Sequence, residues 1–295
     1  MSKIIIGIHG MGNKPDIKQL QFWWQCAIRE GLEGKGRFYF LKFRLVYWAS
    51  ILNDFPLTII KEPYMRAENK NIPHQNSEMR KRIRDQINEQ LDKIFLEKDG
   101  SLNFNRITDF IIHHFLKDLD AYYADLPDEK DRIKRDMICQ ELALTLHKNR
   151  RKKILLVAHS MGSIIAWDVL TSYVPHVKIH TLVTIGSPLG IPVVKSRIIS
   201  ELKKSFPDYS VPVTPENIQH NWFNLADFKD RVAFNYDLKD EFLPNKKQVS
   251  PKDILVHNNY EYENNENHHK SYGYLRCPEM ANIITEFYSS RNRKC

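Results

Sequence analysis

The sequence of 295 residues contains few cysteines and no long hydrophobic run. No apolar stretch approaches the roughly 20 residues that a membrane-spanning helix needs. The chain opens directly on an apolar strand pattern, which leaves no room for a signal peptide, so we expect a protein of a reducing compartment, the cytoplasm. The four cysteines have neither metal-site nor disulfide spacing: Cys26, Cys139, Cys277 and Cys295.

Nucleotide-binding glycine motifs, internal repeats and low-complexity linkers are also missing. Neither G-x-x-x-x-G-K-[ST] nor G-x-G-x-x-G occurs, and no cofactor is expected. The 42% of hydrophobic residues is enough for one α/β domain over residues 1–295. The net charge of +8 is modest for this length, and basic residues mostly alternate with acidic ones, so no nucleic-acid partner is expected. The charge favours peripheral contact with an anionic membrane surface, the alternative being an ordinary solvated exterior. The oligomeric state is left open.

The most informative segment, residues 154–167, changes from a buried-strand pattern to a helical one across the sequence A-H-S-M-G. A serine at the tip of such a strand–turn–helix is held in a strained backbone conformation that exposes its hydroxyl. The small residues Ala158 and Gly162 let the strand and helix approach closely, and the N–H of Met161 points toward the place where an oxyanion would form. Ser160 is therefore the candidate nucleophile; the alternative is an ordinary helix N-cap serine.

A second glycine-containing element follows the apolar run at residues 3–8, which predicts a strand buried on both faces. This strand ends in the sequence H-G-M-G, and a helix is expected to begin near Asp16. The two glycines beside Met11 allow the backbone to face a pocket. The alternative interpretation is a glycine-rich turn that only reverses the chain.

Together the two elements resemble those of the α/β-hydrolase superfamily, in particular its lipase-like and esterase-like members. The superfamily pattern is G-x-S-x-G, and Ala158 stands here in place of the first glycine, as it does in some small bacterial lipases with an A-H-S-M-G elbow. The resemblance implies that Ser160 is the nucleophile and that the N–H groups of Met11 and Met161 form the oxyanion hole. It also implies an α/β fold with a mostly parallel central sheet and helices on both faces.

The resemblance extends to the triad acid. Residues 179–185 form a third buried run, the strand expected after the nucleophile helix. Ser187 follows that run, but no elbow surrounds it, so we expect it to shape the pocket wall. Residues 221–232 resemble the family strand whose following loop presents the acid, usually as Asp-x-Val. Asp230 fits this pattern, and Asp227 is the alternative.

The family order of serine, acid and histidine requires a histidine late in the chain. Residues 252–257 are the last strand candidate, and an amphipathic helix is expected from about Pro278. Several lipase-like members present the base as His-x-Ser-Tyr before this helix, which selects His269; His268 is the main alternative and His257 the next. Paired histidines also occur in metal sites, but no carboxylate or cysteine spacing accompanies them here, so no metal is expected.

The middle of the chain departs from the family order. Residues 38–48 predict a strand, and residues 50–125 form an insertion. Apolar residues recur at helical spacing over 78–97 and 107–119, and a third helix is expected over 133–146. We expect the inserted helices to form a cap over the catalytic end of the sheet. The alternatives are packing on the sheet alone or pairing with another subunit.

The predicted function is hydrolysis of carboxylic esters, with lipid esters among the candidate substrates. A serine hydroxyl is almost un-ionised at neutral pH, so its attack on a carbonyl needs an imidazole to take the proton and a carboxylate to orient the imidazole. Water then resolves the acyl-serine intermediate. The alternatives are an acyltransferase or thioesterase with the same triad, or a non-catalytic protein of this fold that binds a ligand or partner.

Overall fold

A six-stranded sheet forms the centre of the computed structural model, which describes residues 1–36, 40–58, 122, 129–205, 210–233 and 237–290. The strands lie side by side in the order β2-β1-β3-β4-β5-β6, and every adjacent pair is parallel. Their bounds are β1 (Lys3–Ile8), β2 (Phe43–Val46), β3 (Lys153–His159), β4 (Ile179–Ile185), β5 (Ile218–Ala226) and β6 (Pro251–Leu255).

The strand order reverses between β1 and β3. The chain passes from β1 to β2 on one side of the sheet and later returns to β3 on the other side of β1. In the register of this pair Lys3 lies opposite Lys153, and Ile8 opposite Ala158. Open α/β sheets bind ligands at the carboxyl ends of their strands, at such a reversal. The loops that follow Ile8 and His159 therefore meet at the edge of the sheet where a site is expected.

Helices cover both faces of the sheet. One face carries α1, α6 and α7, and the other carries α3, α4 and α5. A π-helical turn at Val169–Tyr173, a 3₁₀ turn at Leu238–Asp240 and an antiparallel pair, β7 (Glu261–Tyr262) and β8 (Asn265–Glu266), lie in the connections. The helices are α1 (Ile17–Glu33), α2 (Ala49–Leu52), α3 (Glu129–Lys148), α4 (Met161–Asp168), α5 (Pro192–Ser205), α6 (Ser271–Arg276) and α7 (Pro278–Ser289).

Alternate residues of the central strands pack on opposite faces of the sheet, because successive side chains of a strand point to opposite sides. In β1, Ile4, Ile6 and Ile8 join the apolar cluster under α3 and α4, whereas Ile5 joins the cluster under α1 and α7. A strand that is buried on both faces has a continuous apolar sequence. This burial explains the unbroken apolar runs of β1 and β3 and confirms both predicted strands.

The ends of the helices are marked by capping residues. The carboxylate of Asp16 accepts hydrogen bonds from the N–H groups of Lys18 (2.9 Å) and Gln19 (3.2 Å), so α1 begins directly after it. Pro278 is the first residue of α7, a position where its missing N–H has no consequence. The helix starts predicted near these two residues are confirmed.

The predicted fold class, a mostly parallel sheet with helices on both faces, is confirmed. Of the strand predicted over 38–48, residues 38–39 lie outside the described residues, and within residues 40–48 the strand was predicted too long, since β2 comprises Phe43–Val46. Its ladder with β1 ends there because Trp48 turns to other partners: its backbone N–H donates to Nε2 of His9 (3.1 Å) and its indole N–H donates to the carbonyl of His9 (3.0 Å).

Most of the predicted insertion falls outside the residues that the structure describes. The helices predicted over 78–97 and 107–119 belong to that part, so the cap and the single-domain organisation stay predictions. The helix predicted over 133–146 is present within α3. Among the described helices, none combines the length and the apolar character needed to cross a membrane.

Gly31 lets α1 pack directly against the end of α6. A Cβ atom at this position would lie 2.6 Å from the carbonyl oxygen of Arg276, a distance that real Cβ atoms do not adopt. Gly34, at the end of the same helix, has ordinary helical torsion angles (φ −57°, ψ −18°) and its nearest atom would be 3.6 Å from an added Cβ.

We predict that Gly31→Ala lowers the free energy of unfolding by about 1–3 kcal/mol, the usual effect of overpacking, because backbone must move to admit the methyl group. Gly34→Ala should be neutral or stabilise by about 0.4–1 kcal/mol, since alanine restricts the unfolded chain. Urea denaturation followed by circular dichroism measures both variants. Equal effects of the two substitutions would contradict the close approach of α1 and α6.

Candidate active site

Ser160 lies between β3 and α4 in a backbone conformation that L-residues rarely adopt. Its φ is 53° and its ψ is −129°, and such outliers cost about 1–3 kcal/mol and persist only where the surrounding structure imposes them. The N–H of Ser160 donates to the carbonyl of Ile185 at the end of β4 (3.0 Å), which fixes the turn to the sheet. The sharp strand–turn–helix expected from the sequence is therefore present.

Two glycines bring the loop after β1 against this turn. A Cβ on Gly162 would lie 2.8 Å from the carbonyl oxygens of both Ile8 and His9. A Cβ on Gly10 would lie 2.7 Å from the Cβ of Ser160. Larger residues at either position would separate the two loops, so the H-G-M-G element and the serine turn form one structural unit.

The loop before α6 brings His269 to Ser160. Nε2 of His269 lies 2.9 Å from Oγ of Ser160, and Nδ1 lies 2.9 Å from both carboxylate oxygens of Asp230. Because a carboxylate only accepts hydrogen bonds, the Nδ1 proton is donated to Asp230, and Nε2 is left to accept from the serine hydroxyl. A continuous hydrogen-bond chain thus runs from hydroxyl to carboxylate. The side chain of His269 is 18% exposed, while that of Asp230 is fully buried.

Further donors hold the Asp230 carboxylate in place. It accepts hydrogen bonds from the hydroxyl of Tyr274 (2.6 Å) and from the N–H groups of Val232 (2.9 Å) and Ala233 (3.3 Å). The Tyr274 oxygen itself accepts from the N–H of Asp227 (2.9 Å). Burial and the nearby Asp230 charge raise the pKa of Tyr274 well above its usual range, so the phenol remains a donor to Asp230.

Asp227, the alternative acid, has different partners. Its carboxylate accepts from the N–H groups of Asn258 (2.6 Å) and Lys229 (2.8 Å), and Nδ1 of His268 lies 3.5 Å away. Burial alone would raise the pKa of Asp227, but the hydrogen bonds from His268 and from the two N–H groups outweigh it and lower the pKa. Asp227 therefore joins neighbouring loops as a buried anion, and the structure brings Asp230, not Asp227, to His269.

His268, the alternative base, lies between two carboxylates. Its Nδ1 is 3.2 Å from the carbonyl of Asn258 and faces Asp227, and its Nε2 is 3.0 Å from Oε2 of Glu266. The hydrogen bond with Asp227 raises the pKa of His268 above its usual 6.5 in spite of burial. His268 thus ties the loop that carries His269 to the loop that follows β5. The third candidate histidine, at position 257, is 3.9 Å from the same Asp227 carboxylate.

The two N–H groups predicted to form an oxyanion hole belong to Met11 and Met161. Met161 directly follows Ser160 and is the first residue of α4, so its N–H has no partner within the helix. The N–H of Met11 has no hydrogen-bond acceptor in the part of the chain that the structure describes. An oxyanion needs such donors held ready before charge develops. The oxyanion hole itself stays a prediction.

Ser187 supports the serine turn from behind. Ser163 donates to the carbonyl of Ser160 (2.7 Å), and its Oγ lies 2.8 Å from Oγ of Ser187. Ser187 also accepts from the N–H of Leu189 (3.3 Å) and is buried. Its described hydrogen-bond partners include no imidazole, in agreement with the expectation that it shapes the wall of the site.

Several residues at the site carried no recognised sequence signal. Nε2 of His159 lies 2.8 Å from the carbonyl oxygen of His269, and the centroids of the two rings are 4.9 Å apart. Burial and the neighbouring His269 lower the pKa of His159 well below 6.5, so His159 is a neutral donor. Gly186 has a positive φ of 54°, and a Cβ there would lie 2.9 Å from Oδ2 of Asp230. The Gly-Ser-Pro end of β4 was a hint for Gly186, and His9 was noted only as part of the H-G-M-G sequence; Tyr274 gave no hint.

No group of three or more His, Cys, Asp or Glu side chains suited to a metal ion occurs among the described residues. The functional groups that the structure does assemble are a hydroxyl, an imidazole, a carboxylate and backbone N–H groups. Such a set transfers protons and binds an anion without needing a further component.

Comparison with known proteins identifies a family for this chain. The family model described as "PGAP1-like alpha/beta domain" matches residues 74–224, just over half of the chain. The matched range includes β3, Ser160, α4 and β4, while Met11, Asp230 and His269 lie outside it. No curated protein matches the chain.

We predict that His268→Gln reduces thermal stability more at pH 5.5 than at pH 8.5. Folding raises the pKa of His268, so its charged form stabilises the folded protein. This stability is fully present below pH 6.5, the pKa of the unfolded chain, and is lost as the pH rises through the pKa of the folded protein. Melting temperatures of wild type and variant across this pH range measure the difference. His257→Gln is the matched control, because that ring is 40% exposed and farther from Asp227. A difference that grows with pH would contradict the interpretation.

Proposed function

Because the chain belongs to the PGAP1-like alpha/beta domain family, which is of the α/β-hydrolase, lipase and esterase type, we propose that it is a serine hydrolase that cleaves carboxylic esters. The observation that carries this proposal is the hydrogen-bond chain from Ser160 through His269 to Asp230. A binding protein would need no serine in a strained turn aligned with such a chain. The non-catalytic alternative is therefore less well supported.

In the proposed acylation step, Oγ of Ser160 attacks the ester carbonyl carbon while Nε2 of His269 takes the hydroxyl proton. Negative charge develops on the carbonyl oxygen, where the N–H groups of Met11 and Met161 stabilise it. The imidazolium then gives its proton to the leaving alcohol. Asp230 keeps the Nδ1 proton of His269 in place and stabilises the positive ring.

In deacylation, water repeats the same chemistry on the acyl-serine. His269 takes a proton from the water, the hydroxide equivalent attacks the carbonyl carbon, and Ser160 leaves with that proton. The carboxylic acid is released and the initial state returns. A thioester substrate or an alcohol acceptor would use the same groups, so the nature of the leaving group and acceptor must come from assays.

Lipid esters are the proposed substrate class. We call residues 9–14, which include Met11, the oxyanion loop. Exposed apolar side chains lie in the segment bonded to this loop: Phe55 is 80% exposed and Leu57 47% exposed. Their segment is tied to that loop by the hydrogen bonds from Asn13 to the Phe55 carbonyl (3.0 Å) and from the Leu57 N–H to the Lys14 carbonyl (2.7 Å). Apolar surface next to the reacting carbonyl suits a long acyl chain. Assays with p-nitrophenyl esters of graded length, a phospholipid and an acyl-CoA separate esterase, lipase and thioesterase activities.

The proposed location is the cytoplasm, with peripheral contact to anionic membrane surfaces. The described cysteines Cys26, Cys139 and Cys277 form no disulfide with one another, which is compatible with a reducing compartment. Burial raises the pKa of Cys139 to about 12, which makes it an unreactive core residue. The membrane contact is supported only by the net charge of +8.

We predict that a fluorophosphonate probe labels the wild-type protein at Ser160, since the probe reacts with a serine whose proton an adjacent base can take. Ser160→Ala should abolish labelling, whereas Ser187→Ala, a change of the same size at a buried serine without an imidazole, should retain it. Intact-protein mass spectrometry and peptide mapping identify the site. Absence of labelling in folded wild-type protein would overturn the proposed function.

We predict that Asp230→Asn lowers kcat for ester hydrolysis by about 10⁴-fold, the effect known for the acid of such triads, because an amide cannot hold His269 in the required tautomer. Asp227→Asn, at an equally buried carboxylate, should lower kcat far less and act mainly on stability. Steady-state kinetics together with thermal melts measure both effects. The reverse ranking would move the acid to Asp227.

A further inference from the structure

His9 is the first residue of the oxyanion loop and is almost completely buried, with 1% of its surface exposed. Its Nδ1 is 2.7 Å from the carbonyl oxygen of Gly10, and its Nε2 accepts from the backbone N–H of Trp48 at 3.1 Å. The imidazole stacks on the indole of Trp48, with ring centroids 4.9 Å apart and planes at 14°. Both ring nitrogens are thus engaged by backbone groups.

These two partners determine the protonation of the ring. A carbonyl oxygen only accepts and a backbone N–H only donates. His9 is therefore uncharged, with its proton on Nδ1 and a lone pair on Nε2. Burial and the nearby Lys14 charge lower the pKa of His9 to about 3, so this form persists throughout the neutral range.

The bond from His9 to Gly10 fixes the direction of an oxyanion-hole donor. In a planar trans peptide the carbonyl of one residue and the N–H of the next point in opposite directions, and the described chain contains no cis peptide. A carbonyl of Gly10 held toward the imidazole therefore turns the N–H of Met11 away from it. A Cβ built on Gly10 would lie 2.7 Å from the Cβ of Ser160, so the peptide that carries this N–H begins at a residue packed against the serine turn.

The loop needs such a constraint because it is rich in glycine. Gly10 precedes Met11 and Gly12, with a φ of 78°, follows it, so the intervening peptides have little intrinsic preference for one orientation. Rotation of the Gly10–Met11 peptide would present a carbonyl oxygen where the site requires a donor. A second constraint acts on the next peptide, where the Lys14 ammonium donates to the carbonyl of Met11.

We propose that His9 is a positioning residue for ester hydrolysis: its Nδ1–H holds the Gly10 carbonyl so that the Met11 N–H stays available to the oxyanion. This inference rests on the proposed hydrolase function. The role differs from simple filling of space, because it depends on one nitrogen of the ring. Substitutions that place a polar atom at the position of one ring nitrogen but not of the other distinguish this positioning role from simple space filling.

The test compares three variants of the full-length protein. In His9→Asn the side-chain amide nitrogen takes the place of Nδ1 and can donate to the Gly10 carbonyl. In His9→Gln the amide takes the place of Nε2 instead. In His9→Leu the side chain has no polar atom at either position. We expect His9→Gln and His9→Leu to lower kcat by about tenfold or more, part of the 10²–10³ that follows complete loss of a donor, with little change in KM. His9→Asn should stay within about threefold of wild type.

A transition-state analogue reports on the same donor directly. An alkylboronic acid forms a tetrahedral adduct on Ser160 whose oxygen occupies the oxyanion position, so its inhibition constant should rise in each variant by the factor by which kcat/KM falls. Melting temperatures are measured in parallel. A merely space-filling role predicts losses that follow the melting temperature and no advantage of His9→Asn over His9→Gln. That pattern, or wild-type kcat in His9→Leu, would overturn the proposal.

A measurement on the unaltered protein covers the case in which the variants do not fold. In protein labelled with ¹⁵N-histidine, the His9 resonances, identified by their loss in His9→Asn or by their buried environment, should show a neutral ring with the proton on Nδ1 at pH 7. A proton on Nε2 or a charged ring would overturn the proposal. If wild-type protein neither labels with fluorophosphonate nor hydrolyses esters, the proposed function itself fails; if it does both while the His9 variants match it, only the role of His9 fails.

Discussion

The rest of the site depends on the strained backbone of Ser160. At φ 53° and ψ −129° this residue would relax into an ordinary conformation if the sheet did not hold it. The hydrogen bond from its N–H to Ile185 anchors it to β4, the approach of Gly162 to Ile8 anchors it to β1, and Ser163 holds its carbonyl. The central strands thus hold the Ser160 hydroxyl at the tip of a buried turn, within 2.9 Å of Nε2 of His269.

Each adjacent strand then contributes one element at the same edge of the sheet. β1 leads to the loop that carries Met11, β3 to Ser160, β4 to Gly186, and β5 to Asp230. Gly186 has no Cβ that would meet the Asp230 carboxylate, so the acid reaches His269 across the end of β4. This arrangement follows from parallel pairing, which brings the carboxyl ends of all the strands together.

Features formed by neighbouring residues could be predicted from the sequence, whereas most contacts between distant segments could not. Buried strands, the serine turn and the helix start near Asp16 are signals within a few residues, and they were predicted. Asp230 and Asp227 lie three positions apart and are both buried, so only the family pattern favoured Asp230; the contacts with Tyr274 that separate them come from a distant helix. His9 was noted only as the start of the H-G-M-G sequence, because its ring contacts are with backbone groups of Gly10 and Trp48 that no residue pattern encodes. The functional roles of all these residues stay predictions until activity is measured.

Two aspartate–histidine pairs, Asp227 with His268 and Asp230 with His269, show how neighbouring residues take different roles. His268 faces carboxylates of both Asp227 and Glu266, which stabilise its charged form and make it a clamp between loops. His269 faces one carboxylate and, on its other nitrogen, the uncharged hydroxyl of Ser160. A base must gain and lose a proton in each cycle, and a ring held between two anions would retain it. The single carboxylate beside His269 therefore suits it to proton transfer, and the second carboxylate beside His268 suits that residue to holding the loop in place.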